Sequence, residues 1–447
     1  MKTIVIGSGG REHAIAWALA SSKIVDEVVC IPGNGGTARE RKCRNIPISV
    51  ADIASVADAC ARELACDPAG SLVVVGPEDP LAAGISDFLA ERGLRVVGPR
   101  RAGATLEASK DVAKRFMEKY GVACAKSETH DDPAAAIAAI RRIGAPVVVK
   151  ADGLAAGKGV VVAATVDEAV AAVESFMVSG SLGAAGNRVV VEEYLEGEEV
   201  SILAAVSSTP ALAAAGKAAI KPFVSARDHK RLLDGATGPN TGGMGAIAPA
   251  DGVDEAVLAR FRSDILEPTL RGLVSEGYDY RGFIFFGLMV TARGPKLLEY
   301  NVRLGDPETQ AVLPLMDFDF AELCLAIERG TLADFPLSWK QGYACAPVAV
   351  SSGYPGSYPK GLPIEIDAEA VARAGAKVFV AGAVTEGATG RLVTSGGRVL
   401  AASAVGATVD EARRRSYEAL DACRFEGMAF RRDIGLPGAA VSGTLGS

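Results

Sequence analysis

The sequence predicts a multidomain α/β protein, with a parallel sheet at the N-terminus, a larger body behind it and a small α+β unit at the end. Three observations carry this. Over the first hundred residues, short apolar runs alternate with helical segments, the pattern of right-handed crossovers between parallel strands. Apolar residues make up 49% of the 447-residue chain but aromatics only 6%, so the packing is Ala/Val/Leu-rich rather than that of an aromatic-rich sandwich. From Tyr343 onward, short strands dominate.

Thr3–Gly7 reads as the first strand, followed by a glycine turn and a helix over Arg11–Ser21 with Ile15, Ala18 and Leu19 on one side. Val28–Ile31 is a second strand, Ile53–Leu64 a helix and Leu72–Val75 a third strand. A helix over Leu81–Arg92 and a strand over Arg95–Val97 complete the unit, which ends near Arg101. Helix Lys110–Tyr120 opens the next region. Strands Val147–Lys150 and Val160–Ala163 flank a glycine-rich loop, helix Val166–Met177 follows, and strand Arg188–Glu193 runs into an acidic stretch. Val200–Val206 suits a strand, Asp228–Gly245 a long polar loop, Glu255–Gly272 a helix and Phe283–Val290 a strand. Helix Phe320–Arg329 and a linker over Gly330–Trp339 lead to strands Ala346–Ser351, Lys377–Val380, Leu392–Thr394 and Val399–Val405, then helix Asp410–Ala422.

The net charge of −7 argues against a dedicated nucleic-acid or anionic-membrane surface. No apolar run approaches the ~18 residues of a membrane span, and Met1–Gly7 reads as a strand rather than a signal peptide. Eight scattered cysteines without a Cys-x-x-Cys pair, and three distant histidines, predict reduced thiols in the cytoplasm and no zinc site.

The most informative stretch is residues 297–310, LLEYNVRLGDPETQ. Alternate strand residues share a face, so Glu299 and Asn301 project together as two hard oxygen ligands suited to Mg²⁺. Arg303 points the same way. An Arg–Glu surface pair is the plainer alternative, against which stand the apolar residues between the polar ones and the Gly-Asp-Pro turn that follows. In Lys150–Val160, two lysines and the glycines Gly153, Gly157 and Gly159 are built to approach phosphate. Lys158 is followed by Gly159 and not by Ser or Thr, so a P-loop is excluded and a hairpin over a triphosphate fits better. Glu192, Glu193 and Leu195 leave a strand where backbone groups could read an adenine edge, and Glu198 or Glu199 could take ribose hydroxyls. Gly7-Ser8-Gly9-Gly10 lacks the third glycine of a dinucleotide fingerprint, Glu12 standing there, yet it could hold a ribose phosphate. His13 reads as a packing or capping residue. Asp228, Lys230 and Asn240 lie in the polar loop; opposite Arg303 it could hold a small zwitterion, carboxylate to Arg303 and ammonium to Asp228.

Together these segments resemble the ATP-grasp ligases, and within them the phosphoribosylamine–glycine ligase (glycinamide ribonucleotide synthetase) family. The resemblance runs in order through Gly7–Trp17, Pro32–Ala38, Gly76–Leu81, Lys150–Val160, Glu192–Leu195, Asp228–Arg231, Gly238–Gly245 and Arg303–Gln310, and Met428–Gly435 resembles a closing strand. Arg227 stands where a glutamine is expected. The resemblance implies a pre-ATP-grasp domain over 1–101, an ATP-grasp body over 102–329 with a mobile lid at about 123–195, a C-terminal domain over 340–436 and a tail over 437–447. It implies ATP as substrate with Mg²⁺ or Mn²⁺ on Glu299 and Asn301, and ligation of glycine to 5-phosphoribosylamine through glycyl phosphate in purine biosynthesis. Arg303, Lys150 and Asp228 would be catalytic. Lys110, Lys150, Gly153, Gly157, Lys158, Gly159, Glu192, Glu193, Leu195, Glu198 and Glu199 would hold the nucleotide. Gly9, Gly10, Asn34, Gly35, Pro77, Glu78, Asp228, Lys230, Asn240, Arg303, Gly305 and Asp306 would hold the other substrates. A cytoplasmic monomer or weak homo-oligomer is expected. The alternatives are a sister ATP-grasp carboxylase or ligase, and a nucleotide-binding module without catalysis.

Overall fold

The computed structural model describes residues 1–155, 159–387 and 389–439. The first unit is a five-stranded parallel sheet in the order Cys43–Asn45, Glu27–Pro32, Lys2–Gly7, Leu72–Val75, Val96–Val97. Its central strands are buried over residues 3–7 and Leu72–Val75 and apolar but for Thr3, because helices cover both faces, as parallel sheets require. The helix expected over Leu81–Arg92 is two, Glu78–Ala82 and Ile85–Glu91, because Gly84 between them takes a left-handed φ of 88°.

An eight-stranded sheet forms the body, in the order Gly294–Asn301, Tyr280–Thr291, Glu198–Ser208, Ala219–Asp228, Gly245–Ala248, Tyr343–Val350, Arg398–Gly406, Ala376–Val380. The last three strands come from the C-terminal region. They join through the pairing of Gly245–Ala248 with residues 344–347, so the C-terminal unit continues the central sheet. A smaller antiparallel sheet, Ser127–His130, Val189–Glu193, Val147–Ala151, Val160–Ala163, closes on its own core of Val147, Val149, Ala163, Val189 and Val191. The expected strand–loop–strand hairpin is there, with Lys150 opposite Val160.

Three expectations need correction. Asp228–Gly245 is not one long loop: Arg231–Leu233 and Thr237–Asn240 pair as an antiparallel hairpin, hidden in sequence by its Gly, Pro and Asn content. Gly330–Trp339 packs rather than hangs free, with Leu332 fully buried. Met428–Gly435 forms no strand beyond one bridge between Val350 and Ala429, because Arg431 and Asp433 turn inward to tie down the hairpin. Of the expected tail, residues 440–447 lie outside the described residues. No helix among the described residues is long and apolar enough to cross a membrane.

His229, 1% exposed, pins this hairpin: Nδ1 faces the Gly245 carbonyl at 3.2 Å, and Nε2 accepts from the Gly435 N–H at 3.3 Å. Burial, aided by Arg431, lowers its pKa to about 4. The unfolded chain therefore binds a proton before the folded one, so stability falls as pH drops from 6.5 towards 4, by at most about 3 kcal/mol from this group. Urea unfolding of His229→Gln across that window should show a shallower dependence on pH than the parent; identical slopes would contradict the assignment.

Candidate active site

In the hairpin of Tyr280–Thr291 and Gly294–Asn301, Gly287 faces Glu299 and Phe285 faces Asn301. A Cβ on Gly287 would stand 3.2 Å from Glu299 Cγ, so glycine leaves that side chain its room. Glu299 and Asn301 do share a face, Asn301 Nδ2 lying 3.5 Å from Glu299 Oε1, while Leu297 and Tyr300 fill the core. Arg303 lies just past the strand and still joins them: its Nη2 donates to Asn301 Oδ1 at 3.0 Å. Among the described residues no group of three or more His, Cys, Asp or Glu side chains could hold a metal by itself. Glu299 and Asn301 fit a cation that keeps most of its ligands as water and phosphate oxygens, which is the habit of Mg²⁺.

Two carboxylates grip Arg303 from the N-terminal side. Glu78 approaches Nε at 3.2 Å and Glu107 approaches Nη2 at 3.0 Å. Burial alone would raise Glu78, but Arg303 and Arg11 hold it down to about 2. Glu107 also accepts from the Val302 N–H at 2.7 Å, and its deeper burial pushes it up to about 7 against the pull of Arg303. Glu107 belongs to no motif, and only the fold brings it here. Glu107→Gln keeps the size and one hydrogen bond but loses the charge. It should lower kcat/KM for the Arg303-bound substrate by about tenfold, with the ATP KM unchanged, in steady-state assays.

Lysines surround the other side of Glu299. Lys150 Nζ donates to the Leu298 carbonyl at 3.2 Å, and Lys110 Nζ to the Gly153 carbonyl at 3.0 Å. Burial would raise the Glu299 carboxyl, yet Lys230, Lys150 and Lys110 together keep it below its usual value. Burial lowers Lys110 in turn. The glycine-rich turn is anchored at its root: Asp152 accepts from Ser109 Oγ at 2.9 Å and from the Asp111 N–H at 3.2 Å, at the start of helix Lys110–Tyr120. A Cβ on Gly153 would meet Ala185 Cβ at 2.8 Å, and one on Gly159 would meet Ala155 Cβ at 2.9 Å, so both glycines permit close packing. Gly157 and Lys158 lie outside the described residues.

Three carboxylates of the acidic stretch pair with basic side chains. Glu192 is 2% exposed and its carboxylate sits between Lys150 at 3.0 Å and Lys114 at 3.2 Å, so the side chain orients two lysines. Lys114 is a residue the sequence reading missed, although its i,i+4 spacing from Lys110 puts both on one helix face. Glu193 accepts from the Lys126 N–H at 2.9 Å, and Leu195 is half-buried at the strand exit. Glu198 pairs with Arg227 and Glu199 with Lys230. Arg227 also reaches the Asp251 carbonyl at 2.8 Å.

Asp228 ends its strand with Oδ1 buried and without a hydrogen-bond partner among the described residues. Gly243, at φ 114°, covers it; a Cβ there would lie 2.6 Å from that oxygen. Burial and the neighbouring Glu308 push the Asp228 carboxyl well above its usual range, and burial raises Glu308 too. Glu308, which accepts from Ser201 Oγ at 3.0 Å, is a third residue not singled out from sequence, after Glu107 and Lys114. Two buried acids with an unused acceptor oxygen suit an ammonium group. Asn240 is exposed on the hairpin, opposite Arg231.

The N-terminal loops are only partly open. Asn34 spends its whole amide on structure: Nδ2 donates to the Ser8 and Val380 carbonyls at 2.9 and 2.8 Å, and Oδ1 accepts from Gly36 and Thr37. A Cβ on Gly35 would stand 2.2 Å from Leu392 Cδ1. Both residues, expected to touch substrate, fasten this loop to the C-terminal region. His13 is a packing residue as expected, accepting the Val380 N–H at 2.8 Å. The Gly9 N–H is taken by Glu12 at 2.5 Å, which closes one of the donors expected for phosphate. Gly9 and Gly10 nevertheless lie beside Asp306 and Gln310, 3.3 and 2.5 Å from where a Cβ would be. Pro77 precedes the helix that starts at Glu78, and Gly305 packs on Glu308.

The chain matches the models of the phosphoribosylglycinamide synthetase N domain over residues 1–107, its ATP-grasp (A) domain over 108–309 and its C domain over 344–437. It is 47% identical to the phosphoribosylamine–glycine ligase of Clostridium acetobutylicum over 97% of this chain and 99% of that one. The crystal structure of the phosphoribosylamine–glycine ligase from Thermotoga maritima superposes with a TM-score of 0.81 at 35% identity, covering 97% of this chain and 100% of that one. The biotin carboxylase domain of the Hydrogenobacter thermophilus 2-oxoglutarate carboxylase, solved with MgADP and bicarbonate, aligns with a TM-score of 0.71 over 96% of this chain and 91% of that one. At 17% identity it shares the fold alone.

Proposed function

We propose roles for individual residues in a chain that belongs to the phosphoribosylglycinamide synthetase family, and those roles start from its activity. The chain is an ADP-forming ligase that joins glycine to 5-phosphoribosylamine in purine biosynthesis. The observation that carries the residue assignment is a cation beside two buried acids: Arg303 is near enough to pull on the Glu308 carboxyl, and Glu308 in turn acts on Asp228, whose Oδ1 has no hydrogen-bond partner among the described residues. A zwitterionic amino acid fits that arrangement; bicarbonate, which has no ammonium, does not.

Glycine lies with its carboxylate on Arg303 and its ammonium on Asp228 and Glu308. ATP lies under the hairpin of Val147–Ala151 and Val160–Ala163, its phosphates beside Lys110 and Lys150, its adenine near Leu195 at the strand exit. Glu299 and Asn301 would hold Mg²⁺ or Mn²⁺, which would supply charge neutralisation for the phosphates. A carboxylate oxygen of glycine attacks the γ-phosphorus, ADP departs, and glycyl phosphate remains. Lys110 and Lys150 stabilise the charge of the transferring group, and Glu192 holds Lys150 in place. The phosphoribosylamine nitrogen, presented by Gly9, Gly10 and the Glu78 and Asp306 loops, then attacks the acyl carbon and displaces phosphate. No protein nucleophile is required; positioning supplies most of the acceleration. Lys230, next to both Glu299 and Asp228, lies between nucleotide and glycine. The enzyme works in the cytoplasm as a monomer or weak homo-oligomer, a setting that suits its eight free cysteines.

Glycine labelled with oxygen-18 in its carboxylate tests the chemistry. One labelled oxygen should appear in the released phosphate, because the acyl–oxygen bond breaks in the second step. Unlabelled phosphate would exclude the glycyl phosphate route.

A further inference from the structure

Arg398, from the C-terminal region, reaches residues beside both substrate ends. Arg398 opens its strand, and its Nη1 donates both to the Asp306 carbonyl at 2.8 Å and to the Gly242 carbonyl. Its Nη2 lies 3.4 Å from the Asp306 carboxylate. Gly242 is held from the same region a second time, its N–H donating to Tyr354 Oη at 2.9 Å, and a Cβ on it would stand 3.2 Å from Arg398 Cζ. Each contact leads to a different substrate. Gly242 precedes Gly243, which covers the buried acceptor oxygen of Asp228 at the glycine end. Asp306 accepts from Gln310 Nε2 at 2.7 Å and borders Gly9 at the head of helix Gly10–Ser21, the amine end. Gln310 Oε1 is buried there without a hydrogen-bond partner among the described residues. Burial opposes the charge on Arg398, and Asp306, with Asp228 and Glu308 further off, outweighs it.

We propose that Arg398 is a positioning residue that ties the glycine end of the cleft to the amine end, so that glycyl phosphate is made where the acceptor amine can reach it. The inference rests on the ligase reading above. In the coupled step the phosphoribosylamine nitrogen forms a bond to the acyl carbon. The carbon–oxygen bond to phosphate breaks, the electron pair leaves with phosphate, and the nitrogen loses its proton to that departing group. If the amine end drifts, water attacks the same carbon and returns glycine and phosphate, so ATP is spent without product. A planar guanidinium can bind two carbonyls and a carboxylate at once; an ammonium has no such fixed fork.

The test compares Arg398→Met and Arg398→Lys with the parent chain in the presence of Mg²⁺, ATP, glycine and phosphoribosylamine generated in situ, counting ADP and glycinamide ribonucleotide separately. The parent should release about one ADP per product, as the reaction stoichiometry requires. Arg398→Met should release several ADP per product and lose about ten- to hundredfold in kcat/KM for phosphoribosylamine, with the ATP KM unchanged, a loss of the size expected for charge-assisted hydrogen bonds. Arg398→Lys should lie between the two. A folded Met variant with a ratio of one and an unchanged phosphoribosylamine KM would overturn the proposal. Should the Met variant fail to fold, the same result in a Lys variant with native melting would overturn it equally. A parent chain that makes no glycinamide ribonucleotide would instead remove the ligase reading and this inference with it.

Discussion

Glu299→Ala should abolish ADP release, with kcat falling by at least about a thousandfold while ATP still binds, because few effects in an active site outweigh electrostatic stabilisation of the transferring phosphoryl charge. The carboxylate has two duties. With Asn301 it offers the oxygen pair that fits a divalent cation, and it stands at the focus of Lys110, Lys150 and Lys230. Truncation removes a cation ligand and leaves three ammonium groups facing one another. The same change therefore destabilises the fold by about 1–3 kcal/mol through the lost pairing. Glu299→Gln separates the two duties: it keeps shape and hydrogen bonds, so melting stays closer to the parent while turnover is lost. Calorimetric ATP titration and thermal melting of both variants check this. Turnover retained in either variant would refute the metal assignment.

Arg303→Ala is expected to lower kcat/KM for glycine by about a hundredfold or more, the scale of a substrate carboxylate losing its charge-assisted partner. ATP binding should change little. The guanidinium spans Asn301, Glu78, Glu107 and, more loosely, the Leu304 carbonyl. Removing it leaves Glu107 buried without its cation, and that carboxyl, already raised to about 7, takes up a proton. The stability penalty is accordingly smaller than for an ion trapped without a partner. The parent already loses stability from this carboxyl as pH rises from 4.5 through 7; without Arg303 the carboxyl is raised further and the loss continues above 7, so the variant should be more stable at pH 6 than at pH 8 relative to the parent. Arg303→Lys restores the charge but not the fork and should recover only part of the glycine activity. Unchanged glycine KM and kcat in Arg303→Ala would contradict its role.

Local rules reached the parts of this site that lie on one strand or one hairpin. Period-two alternation is enough to put Glu299 beside Asn301, and glycines between two valine-rich strands are enough to make a hairpin with Lys150 at its root. Side chains that arrive from elsewhere carry no such mark. Glu107 reaches Arg303 across 196 positions of sequence (303 − 107), and Arg398 comes from a strand that extends the central sheet. The side-chain duty of Glu192 was equally unmarked: an acidic strand exit gives no sign that two buried lysines will claim the carboxylate. The hairpin after Asp228 was invisible because its strands are three and four residues long and full of Gly, Pro and Asn.

The most direct test is ADP release by the full chain with Mg²⁺ and ATP, with glycine and phosphoribosylamine each supplied or withheld and the product weighed by mass spectrometry. Release should require both substrates and yield the mass of glycinamide ribonucleotide. Release that ignores glycine and follows bicarbonate would contradict the ligase assignment and the residue roles built on it.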